Sequence, residues 1–275
     1  MSEWRFGSAE RDDATAFFHE HGFVGFTDLV TPEELAALRR AYDELVADGT
    51  LDVSQGLIVQ NGAMLMHPEF DRLVRRPDIV AFVEGLVEGR PIEVQHTKLN
   101  CKPLNDSGEG KIAWHQDYPF YPHTNYDLVA VGIHLDDEGP DEGPVRVVPG
   151  THRAGPMSHV HPDGAFAYEM TEPLPEGADE GVLMTGPAGQ VTVHHCLTLH
   201  TSEPKRSANL RRILITQYRA RDAAQLAGVM WDDWGTPVGD GDGPRTARFP
   251  DGTVIELRGK GGRLFDNYGK LAPNR

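Results

Sequence analysis

Near residue 91 the spacing of apolar side chains changes from three and four to two, and this change limits the folds open to the chain more than any other feature. Before it, residues 12–21 fit a short helix with Phe17 and Phe18 turned inward, and residues 22–26 fit a strand. Thr31, Pro32 and Glu34 then form a capping box with proline at the first helical position, and Leu35, Leu38, Tyr42 and Leu45 give the helix that follows one apolar face. Pro77 opens a further helix through Leu86. After the change, Ile92, Val94 and Leu99, then Val129, Val131, Ile133 and Leu135, then residues 145–148, 191–199 and 213–218 read as strands divided by Gly- and Pro-rich segments. Many strands without alternating long helices argue against a doubly wound parallel sheet. They predict a mainly β protein, an antiparallel sandwich of jelly-roll type with flanking N-terminal helices. The expected organisation is one domain: a helical part to about residue 90, a β core over about 91–220 and a C-terminal extension over about 221–275.

Two segments interrupt the strand pattern. Residues 154–186 hold several prolines, glycines and acids, and a loop of that length in a compact domain is usually functional or mobile. Residues 231–250 are rich in Gly and Asp, and the Asp251-Gly252 pair after them marks a hairpin turn.

Composition narrows the function. With 26 basic and 42 acidic residues, the formal charge of −16 argues against a general nucleic-acid or acidic-membrane binder, either of which needs a cationic footprint. No apolar run reaches the ~18 to 20 residues that span a bilayer. Two cysteines, Cys101 and Cys196, make no disulfide framework, and with no apolar leader the expected setting is the reducing cytoplasm.

The chemistry-bearing stretch is His115-Gln116-Asp117. On a strand, residues two apart share a face and lie roughly 6.6 Å apart, so His115 and Asp117 could grip one metal ion. A third ligand has to come from elsewhere. His200 stands at the end of the expected 191–199 strand, with His194 and His195 as competitors. Two histidines and one carboxylate on one side of an octahedron are the ligand set of non-haem Fe(II) oxygenases. Asn209-Leu210-Arg211-Arg212 leads into the next strand, so a hairpin is expected to return an arginine beside His200. Its planar fork suits a carboxylate, and because adjacent strand residues face opposite ways, only one of the two arginines should enter the site.

These features together resemble the phytanoyl-CoA dioxygenase family of Fe(II)- and 2-oxoglutarate-dependent oxygenases. The resemblance rests on Trp114-His115-Gln116-Asp117 with its aromatic follow-on, Gly143-Pro144 through Pro149-Gly150-Thr151-His152, Gly189 leading to His200-Thr201-Ser202, and an arginine eleven residues past His200. It runs from the Phe17 helix to about Tyr218. It implies a double-stranded β-helix, of jelly-roll or cupin-like kind, whose iron is held by His115, Asp117 and His200. It selects Arg211 over Arg212 for the far carboxylate of 2-oxoglutarate, with Ser202 beside it, and makes Asn100 a donor to the end nearer the metal. His96 would face the same cavity. Where relatives often carry an aromatic residue six positions before the distal ligand, this chain has His194.

The implied activity is hydroxylation of an unactivated C–H bond with dioxygen, releasing succinate and carbon dioxide, with ascorbate as reductant in vitro. An intact Asp117 favours oxygen transfer over halogenation. Tyr118, Phe120, Trp231 and Trp234 are candidates to line the substrate pocket. With no basic cluster to take a coenzyme A phosphate tail, a free small molecule is expected, such as an amino acid or natural-product intermediate. The competing readings are a cupin-like metal isomerase or cosubstrate-independent dioxygenase, which has no use for Arg211, and a non-enzymatic small-molecule sensor that retains the metal site.

Overall fold

A computed structural model of the chain describes residues 4–54, 58–102, 110–227, 232–233, 235–238 and 245–257. The N-terminal part holds β1 (Arg5–Phe6), α1 (Arg11–His21), β2 (Phe23–Phe26), α2 (Pro32–Ala47), β3 (Ile58–Asn61), α3 (Ala63–Met66), α4 (Pro68–Val74) and α5 (Pro77–Leu86). The strand-rich part holds β4 (Ile92–Lys102), β5 (Ile112–His115), β6 (Leu128–His134), β7 (Val145–Val147), β8 (Val182–Leu183), β9 (Val191–His195), β10 (His200–Ser202) and β11 (Arg211–Ala220). After it come β12 (Thr236–Pro237), β13 (Thr246–Arg248) and β14 (Val254–Glu256).

Local chemistry explains the helix ends. The Thr31 hydroxyl accepts from the Glu34 amide at 3.2 Å while the Glu34 carboxylate accepts from the Thr31 amide at 3.1 Å, the capping box read from the sequence. Helix α1 stops at Gly22, whose φ of 81° is left-handed and lets its amide donate to the Phe18 carbonyl at 2.7 Å. Phe17 and Phe18 are buried as expected. Helices α3 and α4 escaped the periodicity reading because each is too short for a repeating apolar face.

Two sheets form the body. The larger has the order β1-β2-β9-β6-β11-β4-β12, with β3 also paired to β4, and the smaller has the order β5-β10-β7-β8. All pairings in these two sheets are antiparallel except β1 with β2. The long strand β11 lies between β4 and β6, placing Ile213 opposite Asn100 and Ile215 opposite Lys98. The helices pack on the larger sheet through contacts such as the edge-on pair of Phe26 and Phe82, whose centroids lie 4.6 Å apart. β13 and β14 form the hairpin that Asp251-Gly252 signalled, with Gly252 at φ 84°.

Three local expectations are corrected. The apolar alternation over 191–199 is not one strand: β9 ends at His195, a turn follows, and His200 begins β10 in the other sheet. Leu197 and Leu199 are buried from that turn rather than from a strand, and so they mimic its period. Arg211 reaches the site without a hairpin, since β10 pairs with β5 and β7 while β11 pairs with β4 and β6. Asp117 lies beyond β5, in the right-handed helical region at φ −67° and ψ −37°, where it precedes a short 3-10 turn over Tyr118–Phe120.

Candidate metal centre

His115 and His200 come together as direct partners across the antiparallel β5–β10 pair, with ring centroids 4.1 Å apart. Asp117 joins them from the 3-10 turn, with its Oδ1 4.0 Å from Nε2 of each histidine. The bond that brings the turn inward runs from the Tyr118 amide to the Cys196 carbonyl, at 3.1 Å. Gln116, a residue the sequence reading passed over, is fully buried and donates from Nε2 to the Leu197 carbonyl at 2.7 Å. It thereby ties the loop carrying Asp117 to the turn that delivers His200.

The histidine tautomers suit metal binding. Nδ1 of His115 lies 2.8 Å from the Ala113 carbonyl and Nδ1 of His200 lies 2.9 Å from the Thr198 carbonyl. A carbonyl can only accept, so each Nδ1 carries the proton and each Nε2 keeps a lone pair facing Asp117. One atom from each of the three residues lies within 4.8 Å of the others. Burial lowers the His115 imidazole to about 4, and burial together with His115 and His194 holds His200 well below its ordinary range, so both are neutral donors near pH 7. Burial pushes the Asp117 carboxyl upward, but the His194 bond and the surrounding imidazoles outweigh it and hold it well below the usual carboxylate range. A neutral, neutral and anionic N₂O donor set of this kind fits a ferrous ion.

The other Asp117 oxygen is held from two sides. Oδ2 accepts from Gln217 Nε2 at 2.7 Å and lies 3.2 Å from His194 Nε2. His194, the departure noted in the sequence, therefore orients the carboxylate and leaves the distal position to His200. His195 points elsewhere, its ring nitrogen accepting from the Leu197 amide at 3.1 Å.

A narrow cleft between the sheets runs from these three residues to Asn100, Ser202 and Arg211. Arg211 is buried, with Nε donating to Glu138 Oε1 at 2.7 Å and Nη1 to Asn100 Oδ1 at 3.3 Å. Glu138 is itself buried, with its second oxygen 2.6 Å from His134 Nδ1. Burial alone would raise the Glu138 carboxyl, but Arg211 and His134 hold it down at about 2. Glu138 is a further residue the sequence reading missed, since no short spacing links it to Arg211. Arg212 faces the other way, donating to Asp136 at 2.9 and 2.7 Å and lying over the Tyr42 ring at 4.6 Å, so neither arginine is a surface cation.

A larger cavity, about 560 Å³, opens on the opposite side of His115 and Asp117. Of the residues expected there, His96 and Phe120 line it; Lys98 joins them, and Tyr121, Phe166 and Tyr168 complete the aromatic wall. Phe166 and Tyr168 belong to the 154–186 segment, which thus builds the rim of the site. Tyr118 does not line it: its hydroxyl donates to the His123 carbonyl at 2.7 Å and its ring packs on Tyr126. Trp231 and Trp234 lie outside the described residues.

The phytanoyl-CoA dioxygenase (PhyH) family model matches residues 18–213. A probable alpha-ketoglutarate-dependent hypophosphite dioxygenase of Stutzerimonas stutzeri is 35% identical over 209 residues, covering 73% of this chain and 72% of that protein. An L-proline trans-4-hydroxylase of Streptomyces griseoviridis is 30% identical over 168 residues, covering 54% of this chain and 61% of that protein. The crystal structure of the non-haem alpha-ketoglutarate-dependent carbocyclase SnoK from nogalamycin biosynthesis superposes with a TM-score of 0.65 at 24% identity, over 79% of this chain and 87% of that one, a likeness of fold.

Proposed function

This chain belongs to the phytanoyl-CoA dioxygenase family, and from that premise we propose that His115, Asp117 and His200 hold the iron of an Fe(II)- and 2-oxoglutarate-dependent dioxygenase that hydroxylates a C–H bond of a free small molecule. The substrate class is an amino acid or natural-product intermediate, as with the proline hydroxylase it resembles. The observation that carries the reading is the pair of Nε2 lone pairs facing Asp117 Oδ1, with an arginine-ended cleft on one side and an aromatic cavity on the other.

Bound iron, with 2-oxoglutarate and dioxygen, supplies the oxidising power, yielding succinate and carbon dioxide. The chain supplies the arrangement. Arg211 takes the far carboxylate of 2-oxoglutarate, with Ser202 at its side and Asn100 oriented by the same guanidinium. Glu138 fixes the plane of that guanidinium, so little rotamer freedom is lost when the cosubstrate enters. His194 and Gln217 hold Oδ2 of Asp117 and so keep its other oxygen aimed between the two imidazoles. The apolar and aromatic wall offers a packing surface for the substrate beside the proposed ligands.

The same reading makes the chain one catalytic domain, acting in the cytoplasm on a diffusible substrate without nucleic acid or membrane. Two buried cysteines with no disulfide and the formal charge of −16 support that part, and no helix among the described residues is long and apolar enough to cross a membrane.

The test is succinate release from 2-oxoglutarate with Fe(II) and ascorbate, with candidate amino acids, ectoine and hypophosphite as substrates. The expected result is iron- and 2-oxoglutarate-dependent turnover that one substrate class stimulates. In Arg211→Lys, the ammonium keeps the charge but loses the fork, and KM for 2-oxoglutarate should rise about tenfold or more. An unchanged KM would take Arg211 out of the cosubstrate site, and turnover without 2-oxoglutarate would favour the cosubstrate-independent reading.

A further inference from the structure

Lys98 stands where the two cavities meet: with His115 and Asp117 it lines both the arginine-ended cleft and the aromatic cavity. It sits mid-strand on β4, opposite Ile215 of β11 and Asn61 of β3, and strand alternation puts it on the same face as His96 and Asn100. No carboxylate among the described residues lies within ion-pair distance of its ammonium, whereas the buried arginines each have one: Arg211 has Glu138, Arg212 has Asp136, and Arg219 has Glu93. The charge of Lys98 acts on the Asp117 carboxyl, which the proposed metal would engage, and a partly buried ammonium is costly unless an anion meets it directly.

Neither end of 2-oxoglutarate needs it under the reading above. One carboxylate goes to the metal and the other to Arg211. Among the described residues the larger cavity presents no other cation; beyond the proposed ligands its walls are Val59, Asn61, His96, which burial holds neutral, and the aromatic side chains Phe120, Tyr121, Phe166 and Tyr168. In a chain of formal charge −16, an anion enters such a cavity only where the local sign is reversed, and Lys98 is the group that reverses it.

We propose that Lys98 anchors an oxyanion of the substrate, a carboxylate or a phosphonate-type group, so that the apolar remainder lies along the Phe120, Phe166 and Tyr168 wall with one carbon presented beside the metal ligands. This rests on the proposed function and deepens it by naming the substrate class. Lys98 acts as a specificity determinant, while Arg211 serves the cosubstrate.

The test is anaerobic calorimetric titration of the protein loaded with Fe(II) and 2-oxoglutarate. The probes are acetate, pivalate, L-prolinate and methylphosphonate, with acetamide, pivalamide and L-prolinamide as counterparts in which an uncharged amide replaces the carboxylate. At least one anion should bind about tenfold more tightly than its amide, the difference a charge-assisted hydrogen bond makes. Lys98→Gln should abolish that preference and Lys98→Arg should retain it, with 2-oxoglutarate affinity in both variants unchanged. The proposal is overturned if no anion binds, if amides bind as tightly as anions, or if the preference survives in Lys98→Gln. It is also overturned if Lys98→Gln weakens 2-oxoglutarate about tenfold or more, which would assign the ammonium to the cosubstrate. Failure of the unmodified protein to take up 2-oxoglutarate at all would instead sink the proposed function.

Discussion

At the scale of single residues, the groups around the three proposed ligands carry as much of the design as the ligands themselves. His194 and Gln217 both hold Oδ2 of Asp117, so each restricts the rotation of the carboxylate that faces the imidazoles. His194→Ala or Gln217→Ala is expected to lower iron affinity about 10- to 100-fold, read by metal titration of the stripped protein. Because the two share one oxygen, the double variant should lose less than the sum of the single losses. Full additivity would mean that they act separately. The sequence offered the identities of the donors but not these partners: Gln217 meets Asp117 from 100 positions away and Glu138 meets Arg211 from 73, distances over which spacing carries no information.

At the scale of elements, the turn between β9 and β10 brings His200 opposite His115. It is buttressed by the end of α1. Thr198 Oγ1 donates to the Gly22 carbonyl at 2.7 Å, and a Cβ added at Gly22 would lie 2.6 Å from that hydroxyl and 2.4 Å from Nδ1 of His152. Gly22→Ala combines this clash with a φ of 81° that side chains disfavour, so it should destabilise the fold by more than about 1 kcal/mol in urea denaturation. It should also weaken iron retention, because the turn carries the Thr198 carbonyl that fixes the His200 tautomer. Thr31→Ala provides the contrast: loss of the α2 cap should cost about 1 kcal/mol and leave iron affinity unchanged, since α2 touches none of the three residues. The helix was legible because a capping box is a relation over three positions. The turn was not, because Leu197 and Leu199 keep a strand-like period while lying in a bend.

At the scale of the whole molecule, the sandwich buries several imidazoles in neutral form, and this sets its response to acid. Burial lowers His115 to about 4 and His123 and His195 to about 3, against about 6.5 for the unfolded chain. Below that value the unfolded state binds protons that the folded state refuses, so stability is fully present above about pH 6.5 and is lost as the pH falls toward 3. Glu138, held at about 2, adds in the same direction at the acid end. The thermal midpoint of the metal-free protein should therefore fall steadily between pH 6.5 and 4. A flat or rising midpoint over that range would contradict the burial of these groups.

The sequence by itself determined the class of fold and the starts of α1, α2 and α5, and it singled out the three proposed donor side chains and the arginine proposed for the carboxylate. All of these follow from relations between neighbours a few positions apart or from motifs whose order along the chain survives folding. Only the tertiary structure decided that Asp117 approaches from a 3-10 turn, that His200 and Arg211 belong to different sheets, and that Lys98 stands between two cavities. The physical reason is that a pocket between two sheets is made by side chains brought together across the sandwich, and that pairing is set by register and packing rather than by spacing along the chain.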